Sequence, residues 1–252
     1  MTKKPLSDPE HQRVYSDAIA EARLKGPDTF QGWFNKTGSV SEASVRGHWD
    51  FAFHILKKSV HRHMETPQEK TALEIGYGGG RILGAACGFF KHVVGVDIHG
   101  EQDAVKEFLS TQGKKNFTLL RTNGSTFDVS SESIDFVYSF IVLQHLPRFE
   151  VLENYVRETA RVLKKGGLAQ LYFGRLPGHS PRQWLQYLFR GYYEITDTKV
   201  NYRSLVVTPF RMKLLCRKYG LRTLESGPSY KQIPDGFPKR RGGQHYVTVI
   251  KS

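Results

Sequence analysis

The stretch Leu73-Glu74-Ile75-Gly76-Tyr77-Gly78-Gly79-Gly80-Arg81 constrains this chain more than any other. A short apolar run, residues 71–75, ends in glycines at alternate positions, and a helical pattern through residues 82–90 follows. A strand that turns this tightly into a helix needs residues that accept positive φ and leave no Cβ between backbone and ligand. Such turns belong to sheets in which strands alternate with helices, so the remainder of the chain should carry that rhythm.

It does. Residues 92–96 form a second apolar run, followed by a helix near 102–112; residues 117–120 form a third and 134–140 a fourth. Residues 147–165 are amphipathic, with Leu152, Tyr155, Val156, Thr159 and Val162 on one stripe and Gly166-Gly167 as the expected cap. A fifth run occupies 168–173. This spacing predicts βαβ units and a parallel sheet wound on both sides. After Gly174 the rhythm breaks into a segment, 174–207, rich in aromatics and arginines, with one helical piece at 181–189. An insertion there is the kind that covers an active site. Residues 208–219 predict a helix with Thr208 as N-cap and Gly220 just past its end, and two closing strands fall at 221–225 and 245–250. Upstream, residues 8–24 read as a helix stopped by Gly26-Pro27, then a loop carrying Trp33 and Phe34, then a helix over 44–61 with Trp49, Phe53, Leu56 and Val60 as its apolar stripe. The expected organisation is an N-terminal helical cap, 1–66, and one α/β domain, 67–252, with the insertion at 174–207.

Dinucleotide sites use a related glycine turn and leave the helix N-terminus free for a pyrophosphate. Here an acidic residue, Glu74, stands two positions before the first glycine. A carboxylate at that place suits a ligand with a positive ammonium and no phosphate. Asp97 ends the second run, where a carboxylate can accept both hydroxyls of a ribose.

Glu74-x-Gly76-x-Gly78-x-Gly80 followed by Asp97 resembles the first two motifs of the class I S-adenosylmethionine-dependent methyltransferases, and of their small-molecule, type 11-like members in particular. Residues 133–139 resemble that family's fourth strand, and 160–167 its turn from helix to fifth strand. The resemblance implies a Rossmann-like, doubly wound sheet of seven strands, mostly parallel, with an antiparallel C-terminal strand. It also implies S-adenosylmethionine as cofactor. Gly76, Gly78, Gly80 and the backbone at Tyr77 would lie against the methionine part, with Glu74 organising the loop. Asp97 would hold the ribose, Ile98 would pack on the adenine, and Asn123 with Gly124 would face the adenine edge, the Asn123 amide oxygen standing in for a more usual aspartate. Ser139 to Gln144, Phe140 among them, would face the methyl group.

His145 follows the fourth strand, where ligands bind in such sheets, and is the candidate catalytic base. The alternative is a histidine that only shapes the pocket, since methyl transfer from a sulfonium needs mainly alignment and a dry site. Tyr15, Trp33, Trp49 and Asp50 are weaker candidates from the N-terminal segment, for which packing of the extension is the simpler reading. His48, His61, His63 and His92 show no metal spacing, and no metal is expected.

The formal charge of +13 over 252 residues would attract anions. It makes an acceptor with an anionic group the expectation, gripped by Arg175, Arg182, Arg190 or Arg203, and it equally suits a solvated basic face. Three functions compete: methylation of an O or N atom of a small molecule; methylation of RNA at ribose or a ring nitrogen; and cofactor binding without catalysis. No Asn/Asp-Pro-Pro-aromatic motif follows the fourth strand, and Cys87 and Cys216 stand in the wrong places for a carbon-methylating nucleophile. Both cysteines read as buried inert thiols. With no export signal at the N-terminus and no apolar run of roughly 20 residues, the expectation is a cytoplasmic protein without a membrane span. Nucleic acid stays an alternative partner.

Overall fold

The computed structural model describes residues 8–36, 38–175, 181–195, 200–230 and 241–252. The apolar runs form strands β1 (Thr71–Ile75), β2 (His92–Asp97), β3 (Phe117–Arg121), β4 (Ile134–Ser139) and β5 (Leu163–Gly174). A short pair, β6 (Tyr192–Glu194) and β7 (Leu205–Val207), stands apart from the main sheet, which β8 (Leu221–Tyr230) and β9 (Arg241–Lys251) complete. Its seven strands run in the order β3-β2-β1-β4-β5-β9-β8. The neighbours among β1–β5 pair in parallel, β9 pairs antiparallel with β5, and β8 antiparallel with β9. Among these seven, β9 alone runs against the rest. Strand order reverses between β1 and β4, and a crevice opens at their carboxyl ends.

Side chains alternate along the strands and separate two cores. Leu73, Ile75, Val137, Ala169 and Leu171 join one face, with helices α7 (Phe149–Val162) and α9 (Pro209–Lys218). Ala72, Phe136, Tyr138, Leu168 and Tyr172 join the other, with α5 (Arg81–Ala86), α6 (Gln102–Thr111) and residues of the N-terminal helices. Those helices are α1 (Asp8–Leu24), α2 (Pro27–Asn35), α3 (Val40–Asp50) and α4 (Lys58–His63). Ile19, Phe30, Ala43, Phe51, Ile55 and Val60 are all buried in the same cluster as the sheet. At roughly 1.5–3 kcal/mol for each large apolar side chain fully buried, the four helices are held to the sheet by its own core.

The structure corrects several local expectations. Residues 27–35, expected as a loop, are helix α2, because Pro27 at its first position pre-sets φ and opens a helix as readily as it ends one. The helix expected over 44–61 is α3, a π-helical turn (Phe51–Ile55) and α4. The extra residue per turn rotates the stripe: Trp49 and Phe53 are 52% and 41% exposed, while Phe51 and Ile55 are fully buried. Gly166-Gly167 does not cap α7, which ends at Leu163 on an extended residue; the glycines lie within β5. The β6–β7 pair was not anticipated in the insertion. Its remaining helix, α8 (Pro181–Arg190), falls within one residue of its expected position. Cys87 and Cys216 are buried, and burial pushes both thiols up to about 12, which keeps them protonated and unreactive.

Candidate functional site

The glycine loop is held open by its own backbone. Gly76, Gly78 and Gly80 have φ of 74°, 52° and 83°, values at which a side chain is strained. Space forbids a side chain as well: a Cβ on Gly76 would lie 2.3 Å from Val142, and one on Gly78 2.8 Å from Phe34. The Gly76 amide donates to the Val96 carbonyl at 2.7 Å, and the Gly78 amide to Asp97 Oδ2 at 2.8 Å. Asp97 Oδ1 accepts from the Ile98 amide at 2.7 Å. Each of these oxygens keeps a lone pair for a further donor.

His99, absent from the sequence expectations, fastens the same loop from beneath. Its Nδ1 accepts from the Glu101 amide at 3.1 Å, so its Nε2 carries the proton and donates to the Gly78 carbonyl at 3.1 Å. Gly78 is therefore pinned through both its amide and its carbonyl. On the other side Gln31 Nε2 donates to the Gly79 carbonyl at 2.8 Å.

Around this loop lies a cavity with about 1100 Å³ of empty space, its mouth included. Of the ten residues expected to meet a cofactor, eight line it: Glu74, Gly76, Tyr77, Gly78, Asp97, Ile98, Gly124 and Phe140. Gly80 is one step removed and shapes the turn. Asn123 faces a neighbouring groove; its Oδ1 accepts from the Ser125 and Thr126 amides at 2.9 and 3.0 Å, so that oxygen is engaged within its own loop. Of the segment expected beside the methyl group, Phe140, Ile141 and Val142 reach the cavity, whereas Ser139 is fully buried and donates to the Ile75 carbonyl at 3.2 Å. Ile141 has φ of 62°, a left-handed conformation that a β-branched residue rarely adopts. Strain of this kind persists where the surroundings over-determine it, here at the cavity wall.

The roof comes from the N-terminal helices. His11, Gln12, Tyr15 and Ile19 share one face of α1 and line the cavity, with Trp33, Phe34 and Asn35 from α2. Gln12 Nε2 donates to the Asn123 carbonyl at 2.6 Å. Asn201 closes the far side: its amide donates to the Tyr15 hydroxyl at 3.1 Å and its Nδ2 to the Trp33 carbonyl at 2.9 Å. The insertion thus meets the cap over the cavity. Tyr15 and Trp33 belong to the site; Asp50 supports it from behind, and Trp49 is exposed.

Glu74 is buried and accepts a hydrogen bond from the Tyr138 hydroxyl at 3.1 Å. Burial pushes its carboxyl up to about 8, against the Tyr138 bond and the Arg81 charge, with Asp97 adding to the rise. Arg81 also lines the cavity, buried, with Asp50 and Asn35 as partners. An arginine in the first turn of a helix opposes the helix dipole, a signal in the sequence that an anionic partner is close by.

His145 lines the cavity too. Its Nδ1 faces the Tyr202 carbonyl at 2.8 Å and therefore carries the proton, which leaves Nε2 to accept from Gln144 Nε2 at 3.1 Å. Burial pushes the ring down to about 4, aided by the Arg203 and His11 charges and opposed by the Tyr202 bond, so at neutral pH it is uncharged. Arg175, Arg190 and Arg203, expected to grip an anion, do not line the cavity, and the Arg182 side chain lies outside the described residues.

Residues 73–171 match the family model of the methyltransferase domain. No curated protein matches the chain. Among solved structures, the 1,6-didemethyltoxoflavin-N1-methyltransferase of Burkholderia thailandensis, with bound 1,6-didemethyltoxoflavin and S-adenosylhomocysteine, superposes with a TM-score of 0.60 at 15% identity. That superposition covers 99% of this chain and 93% of the other, N-terminal helices included. A methyltransferase dependent on S-adenosylmethionine from Methanosarcina mazei gives 0.56 at 17% identity, over 78% and 98% of the two chains. Another from Aquifex aeolicus gives 0.55 at 13%, over 86% and 100%. At these identities the likeness is one of fold. Residues 73–171 are thus a methyltransferase domain of the class I type, whose cofactor is S-adenosylmethionine.

Proposed function

We propose that the cavity binds S-adenosylmethionine through Glu74, Gly76, Tyr77, Gly78, Asp97, Ile98, Gly124 and Phe140, with Gly80 and Asn123 shaping the loops that carry them, and that the methyl acceptor is an oxygen or nitrogen atom of a small molecule held beneath α1. The observation that carries the reading is a cavity walled by two carboxylates, Glu74 and Asp97, and by a glycine loop that no Cβ could enter. Carboxylates repel a phosphate and fit a ligand bearing an ammonium, a sulfonium and ribose hydroxyls. Bound there, the cofactor would supply an electrophilic methyl group on a sulfonium sulfur.

The chain's own residues do the rest. Asp97 receives the ribose hydroxyls on its remaining lone pairs while holding Gly78 in place. Ile98 and Gly124 border the adenine end, and Asn123 shapes the loop that carries Gly124. The Glu74 carboxyl would face the cationic end, where a positive ligand favours its ionised form. The roof of α1 and α2 excludes water, which strengthens every electrostatic contact inside. His145 Nε2, whose one lone pair takes the Gln144 Nε2 hydrogen in the free protein, would exchange that bond for the acceptor's O–H or N–H and take its proton once the new bond to carbon has made it acidic. A ring held near 4 is a weak base: transfer is downhill from a methylated oxonium, a far stronger acid than imidazolium, whereas a methylated amine would keep its proton against such a ring and lose it to solvent.

The roof favours a compact acceptor: Tyr15, Trp33, His11 and Asn201 close the space over His145, and RNA methylation gains no supporting observation. The Burkholderia enzyme, by its name an N1-methyltransferase, superposes over nearly the whole of this chain, which supports O or N transfer by analogy of fold. Calorimetric titration with S-adenosylmethionine and S-adenosylhomocysteine tests the cofactor site; micromolar binding of both, lost in Asp97→Ala, is expected, and no binding to folded wild-type protein would overturn it. Transfer of labelled methyl from S-adenosylmethionine into the small-molecule fraction of a cell extract tests the acceptor; label found only in RNA would overturn that half.

A further inference from the structure

Helix α8 presents an apolar face to solvent. Trp184, Leu185, Leu188 and Phe189 lie at helical spacing and are 44%, 55%, 62% and 86% exposed. The opposite face carries Tyr187, buried against Val206, whose hydroxyl donates to the Val207 carbonyl at 3.3 Å. Packing on β6–β7 therefore uses Tyr187 and leaves the other four without a core. Where α8 ends, α9 begins: the Thr208 amide donates to the Gly191 carbonyl at 2.8 Å, and Gly191 backs directly onto the Arg211 side chain. The outward face of α9 adds Phe210, 72% exposed, and Leu214, 41% exposed. Single exposed apolar residues are ordinary, but six on two helices that meet end to start mark an interaction surface.

Charge says what kind. The segments of α8 and α9 contain no Asp or Glu; Arg211, Lys213 and Arg217 are exposed beside the apolar residues of α9, and Arg190 is exposed at the end of α8. Lys218 is paired with Glu153 at 2.5 Å and takes no part. A second copy of this chain would set cation against cation across a two-fold axis, which opposes self-association. Single-stranded RNA would stack on the aromatics, yet Leu185, Leu188 and Leu214 offer no π-face. Aliphatic and aromatic side chains rimmed by cations, with Glu153 already paired to Lys218, match an anionic lipid surface, where the apolar face enters the headgroup boundary and the cations meet the lipid phosphates. No helix among the described residues is long and apolar enough to cross a membrane, so attachment would be peripheral.

We propose that α8 and the outward face of α9 dock this methyltransferase on an anionic membrane surface. The test is sedimentation of the full chain with vesicles of phosphatidylcholine alone and with vesicles of equal parts phosphatidylcholine and phosphatidylglycerol. Binding to the mixed vesicles only is expected, and it should weaken with added salt. Replacing Leu188 and Phe189 together by serine (Leu188→Ser, Phe189→Ser) should weaken it roughly tenfold or more, since both side chains lose their burial in lipid. Replacing Lys213 and Arg217 by glutamate should do the same through charge. Both variants alter exposed positions, so their melting temperature and affinity for S-adenosylhomocysteine should stay those of the wild type. Equal binding to both vesicle types, no binding to either, or unchanged binding by the serine variant would overturn the proposal. So would retention of an RNA oligonucleotide by a protein that ignores vesicles, which would assign the surface to nucleic acid.

Discussion

Arg81 and Asp50 form a buried ion pair that joins the first turn of the glycine-loop helix to the end of α3. Asn35 receives the Arg81 Nε hydrogen, Arg46 stands 3.8 Å from Asp50, and His54 Nε2 lies 3.6 Å away from it. Burial lowers the Arg81 pKa, opposed by Asp50, so the pair survives because each charge answers the other. Removing one partner should cost far more than removing both. Asp50→Ala is expected to destabilise the protein by about 3–5 kcal/mol, and the double replacement Asp50→Leu with Arg81→Leu by much less. Urea unfolding of the wild type and the two variants checks this; a double variant that loses clearly more than Asp50→Ala would show that the single loss is not the cost of a stranded Arg81 charge.

Asp97 and Gly78 give a second prediction. Gly78→Ala places a Cβ 2.8 Å from Phe34 at φ 52°, and Asp97→Asn replaces the oxygen that holds the Gly78 amide or the one that meets the ribose. Both changes should act on cofactor affinity more than on folding. A loss of one charge-assisted hydrogen bond, about 1.5–3 kcal/mol, corresponds to roughly tenfold or more in Kd for S-adenosylhomocysteine. Calorimetry would register it; a variant that binds like the wild type would remove Asp97 from the site.

Glu74 predicts a proton linked to the cofactor. Its carboxyl is raised from 4.5 to about 8 in the folded free protein, so at neutral pH it is mostly protonated. The folded state then binds the proton more tightly than the unfolded chain between those values. Glu74 therefore contributes stability that is full below 4.5 and lost as pH rises through about 8. Glu74→Gln should flatten that decline, read as melting temperature against pH. A cationic ligand beside Glu74 should also expel its proton. Titrations at neutral pH in buffers of different ionisation enthalpy should report proton release by the wild type and none by Glu74→Gln.

The glycine loop, the five parallel strands and Asp97 were legible in the sequence because each depends on local rules: apolar runs of strand length, and turns only glycine can make. The roof was legible in part. Tyr15 sits on an evident helix, but nothing local says that its hydroxyl meets the Asn201 amide, 186 residues away. The π-helical turn rotated Phe51 and Ile55 inward where a 3.6-residue period had placed Trp49 and Phe53. His99 escaped notice because its work is two bonds to backbone, which leave no pattern. Arg81 did leave one, a cation where the helix dipole favours an anion.

His145 carries the last prediction, and its sign is unusual for a histidine. Burial lowers the ring from 6.5 to about 4, so the unfolded chain holds the extra proton more tightly than the folded one. His145 thus contributes stability above 6.5 that is lost as pH falls towards about 4, and His54, lowered to about 4 by its own burial, acts in the same direction. For catalysis the same shift keeps Nε2 unprotonated well below neutrality. The rate of methyl transfer should show no inflection near 6.5 and should fall only as pH approaches about 4. His145→Asn keeps a polar group at this position but offers a far weaker base. It should lower kcat by roughly 10²-fold, the low end for a general base, while leaving the affinity for S-adenosylhomocysteine intact. An inflection near 6.5 that disappears in His145→Asn would mean that the ring titrates freely when the acceptor is bound. An unchanged kcat in that variant would reduce His145 to a wall of the pocket, and alignment under the roof would then account for the transfer.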